Sequence, residues 1–114
     1  MKKIEAIIRP EKFPLLRKKL GDTGINGLTV TEAAGCGLQE GQTGVFRGNK
    51  YEINLFPKIK VEMVVTDDKV DPIITVIQAV CSNGNVGDGK IFIIPVENAI
   101  RIRTGESGLE AISS

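Results

Sequence analysis

The chain has 114 residues, of which 41% are hydrophobic and 25% charged, and its 15 basic and 14 acidic side chains leave a net charge of +1. A domain of that length buries a core without disulfide or metal staples, and near-neutrality argues against a dominant nucleic-acid or membrane-directed field, so an anion site has to be local. No apolar run approaches the roughly 18 residues of a membrane span, and the basic start "MKK" leads into "IEAIIRP", too short and too soon broken for a secretory leader. A cytoplasmic protein is expected. A zinc site lacks ligands, because there is no histidine and Cys36 and Cys81 stand far apart with no CxxC spacing; two free thiols are expected. The missing histidine also removes the commonest general base, leaving Asp, Glu, Lys and Cys for any catalysis.

In chain order, "KIEAII" reads as a strand. Phe13, Leu16 and Leu20 then recur at helical spacing, with Pro14 tolerable in the first turn and Gly21 and Gly24 as stop signals. "GLTVTEA" returns to a strand. Between its end near Ala34 and the next strand near Lys58, five of the thirteen glycines fall in one connection, at Gly35, Gly37, Gly41, Gly44 and Gly48. A connection of about twenty residues inside a compact domain is either functional or a misassigned element. The stretch "YEINLF" leaves a long hairpin open, but glycine at that density weakens a fixed strand. The preferred reading is an exposed, mobile arm over about residues 36–56 that presents Arg47, Lys50 and Tyr51 to a partner, since Arg and Tyr are favoured at interface hot spots.

The second half repeats the first. "KVEMVV" matches "KIEAII", with Glu62 in the place of Glu5. Val70, Ile73, Ile74, Ile77 and Val80 form a helical apolar stripe, Asp71 and Pro72 mark its start, and Gly84 lies past its end. "KIFIIPV" is the last long strand. Two strand–helix–strand units make an α+β, ferredoxin-like double βαβ sandwich with both helices on one face. Consecutive apolar residues in "AII", "MVV" and "IFII" imply that the other face is buried too, by self-association with closed symmetry. A short alternating strand from Ile100 to Arg103 opens a polar C-terminal segment, about 101–114, and the whole of 1–114 is one domain.

"NVGDGKIFII", residues 85–94, admits two readings on its residues alone. Asp-Gly before an apolar strand is a hairpin signal. Glycines around an aspartate with Lys90 beside them also suit a nest of backbone N–H groups that holds phosphate.

Taken together, "KKIEAIIRP", "GLTVTEAAGCG", "RGNKYEINLFPKIKVE", "VGDGKIFI" and "IRIRTGE" resemble the successive signatures of the PII nitrogen-regulatory signal proteins over nearly the whole chain. The resemblance implies a homotrimer with nucleotide sites in the clefts between subunits. It implies competitive binding of ATP or ADP, binding of 2-oxoglutarate with Mg-ATP, and a long loop that grips or releases an ammonium transporter or a nitrogen-metabolism enzyme or regulator. Such a protein is recruited reversibly to the inner face of the membrane only through its partner. By the same resemblance Gly87, Asp88, Gly89 and Lys90 match the phosphate-side loop, and Arg101 and Arg103 match arginines that reach phosphate from the neighbouring subunit. Glu62 and Val64 match positions that read adenine, Gly27 and Thr29 border the base, and Ile7 packs nearby. Gln39 matches the side chain that joins the Mg2+ shell, Lys58 the partner of the distal carboxylate of 2-oxoglutarate, and Gly35, Gly37 and Gly41 the backbone around it. Tyr51 matches the uridylylation site of some members, and with Arg47 it belongs to the partner-binding arm. Departures from the pattern are Leu38 where many members carry arginine, Glu40 where lysine is common, Phe46 for a frequent tyrosine, and Asn49, which excludes serine phosphorylation there.

Two other classes share the topology. A nucleotide-processing enzyme would have to work without a phosphohistidine route. An RNA-binding sheet needs exposed stacking aromatics, and of four Phe and one Tyr only Phe92 lies on a plausible sheet strand, so no nucleic acid is expected as partner.

Overall fold

The computed structural model describes residues 1–25, 27–38 and 53–113. Strand β1 (Lys2–Ile8) alternates strictly: Ile4, Ala6 and Ile8 are buried, while Lys3, Glu5 and Ile7 take the opposite face. Proline at position 10 ends the strand and opens a short 3-10 turn, Pro10–Lys12, which runs into α1 (Phe13–Asp22). The helix stops in a Schellman arrangement. Gly24 takes φ +89°, its N–H reaches the Gly21 carbonyl at 3.0 Å, and the Ile25 N–H reaches Leu20 at 3.0 Å.

Strands β2 (Thr29–Leu38), β3 (Ile53–Val65) and β4 (Gly89–Pro95) complete one sheet in the order β2-β3-β1-β4, with β1 antiparallel to β3 and β4 and β2 antiparallel to β3. Helix α2 (Val70–Cys81) joins β3 to β4, and a short α3 (Leu109–Ile112) lies near the C-terminus. The two strand–helix–strand units therefore interleave, with β3 inserted between β1 and β2, which is the ferredoxin-like α+β fold.

Both helices cover the same face. Leu16 and Leu20 of α1 and Ile73, Ile77 and Cys81 of α2 close over Ile4, Ala6, Ile8, Val61, Met63 and Val65. Burial pushes the Cys81 thiol up, whereas Cys36 is exposed; both are free. The other face carries Lys3, Glu5, Lys60 and Glu62 across the central strands, so within one chain its burial is incomplete and its charges are paired.

Two expectations are corrected. The connection after the second strand is shorter than its glycines suggest, because β2 continues to Leu38 and β3 starts at Ile53, with Gly35 paired to Phe56 and Cys36 to Leu55. Ladder hydrogen bonds from the alternating "INLF" side hold these glycines extended, so the hairpin reading prevails at the arm's roots, residues 36–38 and 53–56. The rest of the arm, with Gln39, Gly41, Arg47 and Tyr51, lies outside the described residues. The second correction is the strand from Ile100 to Arg103. Only an isolated bridge forms, Ile100 with Ser107, around a turn in which Gly105 has φ +75° and donates to the Arg101 carbonyl at 2.8 Å. The alternation of Ile100 and Ile102 finds nothing among the described residues to cover it, and Ile102 is fully exposed.

Core position and helix propensity predict opposite signs one residue apart. Leu20→Ala is expected to destabilise by about 2–5 kcal/mol. Gly21→Ala, whose added Cβ would meet only open space, should stabilise by about 0.5–1 kcal/mol. Urea unfolding of the two variants checks both.

Candidate functional site

The sheet register gathers most of the residues singled out above at two places on the open face and its end. Thr29 sits opposite Glu62 on β3, and both line a depression of about 480 Å³ with Lys3, Gly27 and Val64. Glu62 also pairs directly with Glu5 across β1 and β3. Like charges so placed repel, and two lysines offset them. Lys3 Nζ stands 2.6 Å from Glu62 Oε2, while Lys60 Nζ lies 3.4 Å from Glu5 and 3.6 Å from Glu62. The hydrogen bond from Lys3, then its charge and that of Lys60, hold the Glu62 carboxyl below the usual range. The same bond pushes the Lys3 ammonium up. At neutral pH Glu62 is thus an acceptor only.

The second place is the segment between α2 and β4. Asp88 organises it from within: Oδ2 accepts the N–H groups of Asn83 at 2.8 Å and Gly84 at 3.0 Å, and Oδ1 faces Arg9 Nε at 3.5 Å. Those backbone bonds first, and the Arg9 guanidinium after them, keep its carboxyl below the ordinary value. Two cations fasten the following peptides. Arg9 Nη2 donates to the Val86 carbonyl at 2.9 Å, and Lys58 Nζ to the Gly87 carbonyl at 2.7 Å. Arg9, Gly35, Lys58 and Gly87 line a recess of about 600 Å³. In a trans peptide the C=O and the next N–H point opposite ways. Drawing the Val86 carbonyl toward Arg9 therefore turns the Gly87 N–H away from that cation, and among the described residues this N–H meets no acceptor, whereas the Asp88 N–H, which follows the carbonyl held by Lys58, donates to the Asn85 carbonyl at 3.4 Å.

The glycines of this loop have different reasons. Gly87 takes φ +99°, and a Cβ there would come within 3.0 Å of Arg9 Nη2. At Gly89, φ +114°, a Cβ would fall 1.7 Å from the Ile7 carbonyl oxygen, so what approaches closely is the chain's own β1. Lys90 pairs with Ile7 across β1 and β4, exposed on the open face. Each reading of "NVGDGKIFII" is thus met in part. "VGDG" is a tight loop into a strand, as a hairpin signal would suggest, yet it leads from a helix and its Gly87 amide is turned away from Arg9.

Arg101 and Arg103 are not brought to this loop within the chain. Arg101 folds back on the tail, donating to the carbonyls of Glu110 and Ser113 and lying 3.5 Å from Glu106, while Arg103 is exposed. Gly37 pairs with Asn54 in the backbone ladder. Among the described residues no three His, Cys, Asp or Glu side chains gather as metal ligands, and no helix is long and apolar enough to cross a membrane. Sequence reasoning missed Arg9. Its signal is the Arg-Pro step at the end of a central strand, where proline fixes the exit direction.

These features define a ferredoxin-like domain with a cation-fastened glycine loop at one end of its open sheet face. The family model for nitrogen regulatory protein P-II matches residues 1–106. The chain is 52% identical over 112 residues to the nitrogen regulatory protein P-II of Pasteurella multocida and 50% identical to that of Bradyrhizobium diazoefficiens, covering 98% of this chain and all of each relative. Among solved structures it is similar to GlnK of B. subtilis (TM-score 0.83, 42% identity, 96% of both chains). It is equally similar to the GlnK-ATP complex of that organism, with TM-score 0.83, 39% identity, and coverage of 96% of this chain and 94% of that one. The chain belongs to the nitrogen regulatory protein P-II family.

The loop's construction makes its stability sensitive to acid and to a single methyl group. Because the folded Asp88 carboxyl titrates below its ordinary value, it adds stability above that value, and this is lost as pH falls through the folded one. Asp88→Asn should therefore flatten the acid limb of a urea-midpoint profile below about pH 4, with a remaining slope from Asp67, which the N-terminal ammonium lowers, and from Glu62, which Lys3 lowers. An unchanged limb would refute the assignment. Gly89→Ala, strained in φ and overlapping Ile7, should cost at least about 3 kcal/mol in the same assay.

Proposed function

We propose that the chain is a non-enzymatic sensor of ATP and ADP and, with Mg-ATP, of 2-oxoglutarate. It works as a homotrimer and regulates an ammonium transporter or nitrogen-assimilation proteins through the arm between β2 and β3. The observation that carries this reading is the loop at residues 83–89, whose Val86 and Gly87 carbonyls are held by Arg9 and Lys58, with the Gly87 amide turned away from Arg9 and Lys90 following in β4. An outward amide on a glycine and nearby ammonium groups suit a polyphosphate. The ATP complex of the B. subtilis relative supports the same ligand class.

The spacing along β3 fits the remainder of a nucleotide. Lys58 and Glu62 share a face four residues apart, about 13 Å at 3.3 Å per residue, with Lys58 toward the loop and Glu62 in the depression with Gly27, Thr29 and Val64. An ionised Glu62 accepts from a purine amino group, and Val64 and Ile7 offer apolar surface. Phosphate reached by a neighbour's Arg101 and Arg103 is consistent with a tail whose arginines stay away from their own loop. Trimerisation has its support in the exposure of Phe92, Ile93, Ile94, Ile100 and Ile102, apolar surface that one chain leaves in water.

Lys58 would hold the distal carboxylate of 2-oxoglutarate, near Gly35, Gly37 and Gly41. Mg2+, a hard ion preferring octahedral oxygen donors, would bridge phosphate and oxoacid with Gln39 in its shell. Ligand contacts made in only one pose of the arm shift its population, with couplings of about 1–3 kcal/mol. Arg47 and Tyr51 would meet the partner, Tyr51 being the residue open to uridylylation. The protein would sit in the cytoplasm and reach the membrane's inner face only by that contact.

Calorimetry tests the reading directly. ATP and ADP are expected to compete for one site per chain, 2-oxoglutarate to give heat only with Mg-ATP, and Lys90→Ala to weaken ATP by about tenfold. Sedimentation should give a trimer. No heat with any adenylate, or a monomer, overturns it.

A further inference from the structure

We propose that Arg9 is a positioning residue for the phosphate-side loop: it sets the direction of the Gly87 amide through the Val86 carbonyl and holds the loop's first turn through the Asp88 carboxylate. The inference rests on the nucleotide reading above and deepens it.

The route to the loop is short and rigid. Arg9 leaves β1 directly after Ile8, whose partner in β4 is Gly89, so the backbone that carries the guanidinium and the backbone that ends the loop are adjacent rungs of one ladder. Its φ of −70° and ψ of 138° are extended, and Pro10 disfavours a helical alternative. One edge of the guanidinium donates from Nη2 to Val86 O at 2.9 Å, while Nε faces Asp88 Oδ1 at 3.5 Å. Both Arg9 Nε and Asp88 Oδ1 are shielded from solvent and, among the described residues, have no other partner. The 3.0 Å separation between Arg9 Nη2 and a Cβ built at Gly87 shows how closely the group lies against the loop.

The geometry makes the planar fork matter, beyond the charge. A carbonyl at Val86 pulled toward Arg9 sends the Gly87 N–H outward. Asp88, held by Arg9 on one oxygen, offers the other to Asn83 and Gly84, which closes the loop's first turn. One side chain therefore governs two consecutive corners. Lysine keeps the charge but gathers its three donors on one nitrogen, without the rigid planar fork that here spans the Val86 carbonyl and the Asp88 carboxylate.

Arg9→Lys and Arg9→Gln test this, with ATP, adenosine and inorganic tripolyphosphate as ligands in calorimetry and amide hydrogen exchange over residues 83–89 without ligand. Losing a charge-assisted bond and loop order should weaken ATP and tripolyphosphate by about tenfold or more in both variants. Adenosine, seated at Glu62 and Val64, should bind as before. Exchange of the loop amides should quicken in both while that of the β1 and β3 core amides does not. Equal losses for ATP and adenosine would indicate general destabilisation and overturn the proposal. Full rescue by lysine would replace it with a purely electrostatic role. If the parent chain binds ATP and both variants bind it equally, the proposal fails while the nucleotide reading stands. A parent chain that takes up no adenylate overturns that reading and this proposal with it.

Discussion

The structure depends on β1 being shared. It pairs with β3 along one edge and β4 along the other over its whole length, so its end fixes the positions of two chain segments far apart in sequence. At that end Ile8 stands between Ile59 and Gly89, and the Ile7 carbonyl occupies the space a side chain at Gly89 would need. The close approach forces the chain to turn sharply just before β4, and the turn is the loop that Arg9 and Lys58 hold. Without the β1–β4 ladder neither cation would have a carbonyl to reach.

The electrostatics follow from the same alternation that builds the core. Period two sends Ile4, Ala6, Ile8, Val61, Met63 and Val65 under the helices, and so obliges Lys3, Glu5, Lys60 and Glu62 to share the other face. There they neutralise one another, two acids between two lysines. At the end of the sheet Arg9, Lys58 and Lys90 stand against Asp88, which leaves a local positive excess there. A net charge of +1 is thus compatible with a strongly local anion preference.

The fold was legible because its signals are local and repeated. The stripe of Val70, Ile73, Ile77 and Val80, the stop at Gly24 and the matching "KIEAII" and "KVEMVV" each depend on residues within a turn or two. The misread elements depend on distant partners instead. Gly35 and Gly37 lie in a strand because Phe56 and Asn54 supply the ladder, and local propensity cannot register a partner some twenty positions away. The strand expected at Ile100 failed for the complementary reason, since alternation predicts a strand only where something covers the apolar side. At the site, the grouping of Gly27, Thr29, Glu62 and Val64 came from family resemblance, whereas Arg9 against Asp88 joins residues with no pattern between them.

Lys58 connects the arm's root to the loop. Its stem lies 3.3 Å from the position a Cβ would take at Gly35 in β2, and its ammonium ends on the Gly87 carbonyl. The absence of a side chain at Gly35 is what lets the stem lie flat along the sheet toward the loop. A carboxylate that draws Lys58 away therefore has to offset the bond to Gly87, at most about 3 kcal/mol and less in contact with water. It also frees the peptide between Gly87 and Asp88 to rotate. On the proposed reading, occupation of the oxoacid position and the conformation of the phosphate loop are linked through one side chain. The linkage works in both directions, because a loop already fixed by polyphosphate releases Lys58 at lower cost.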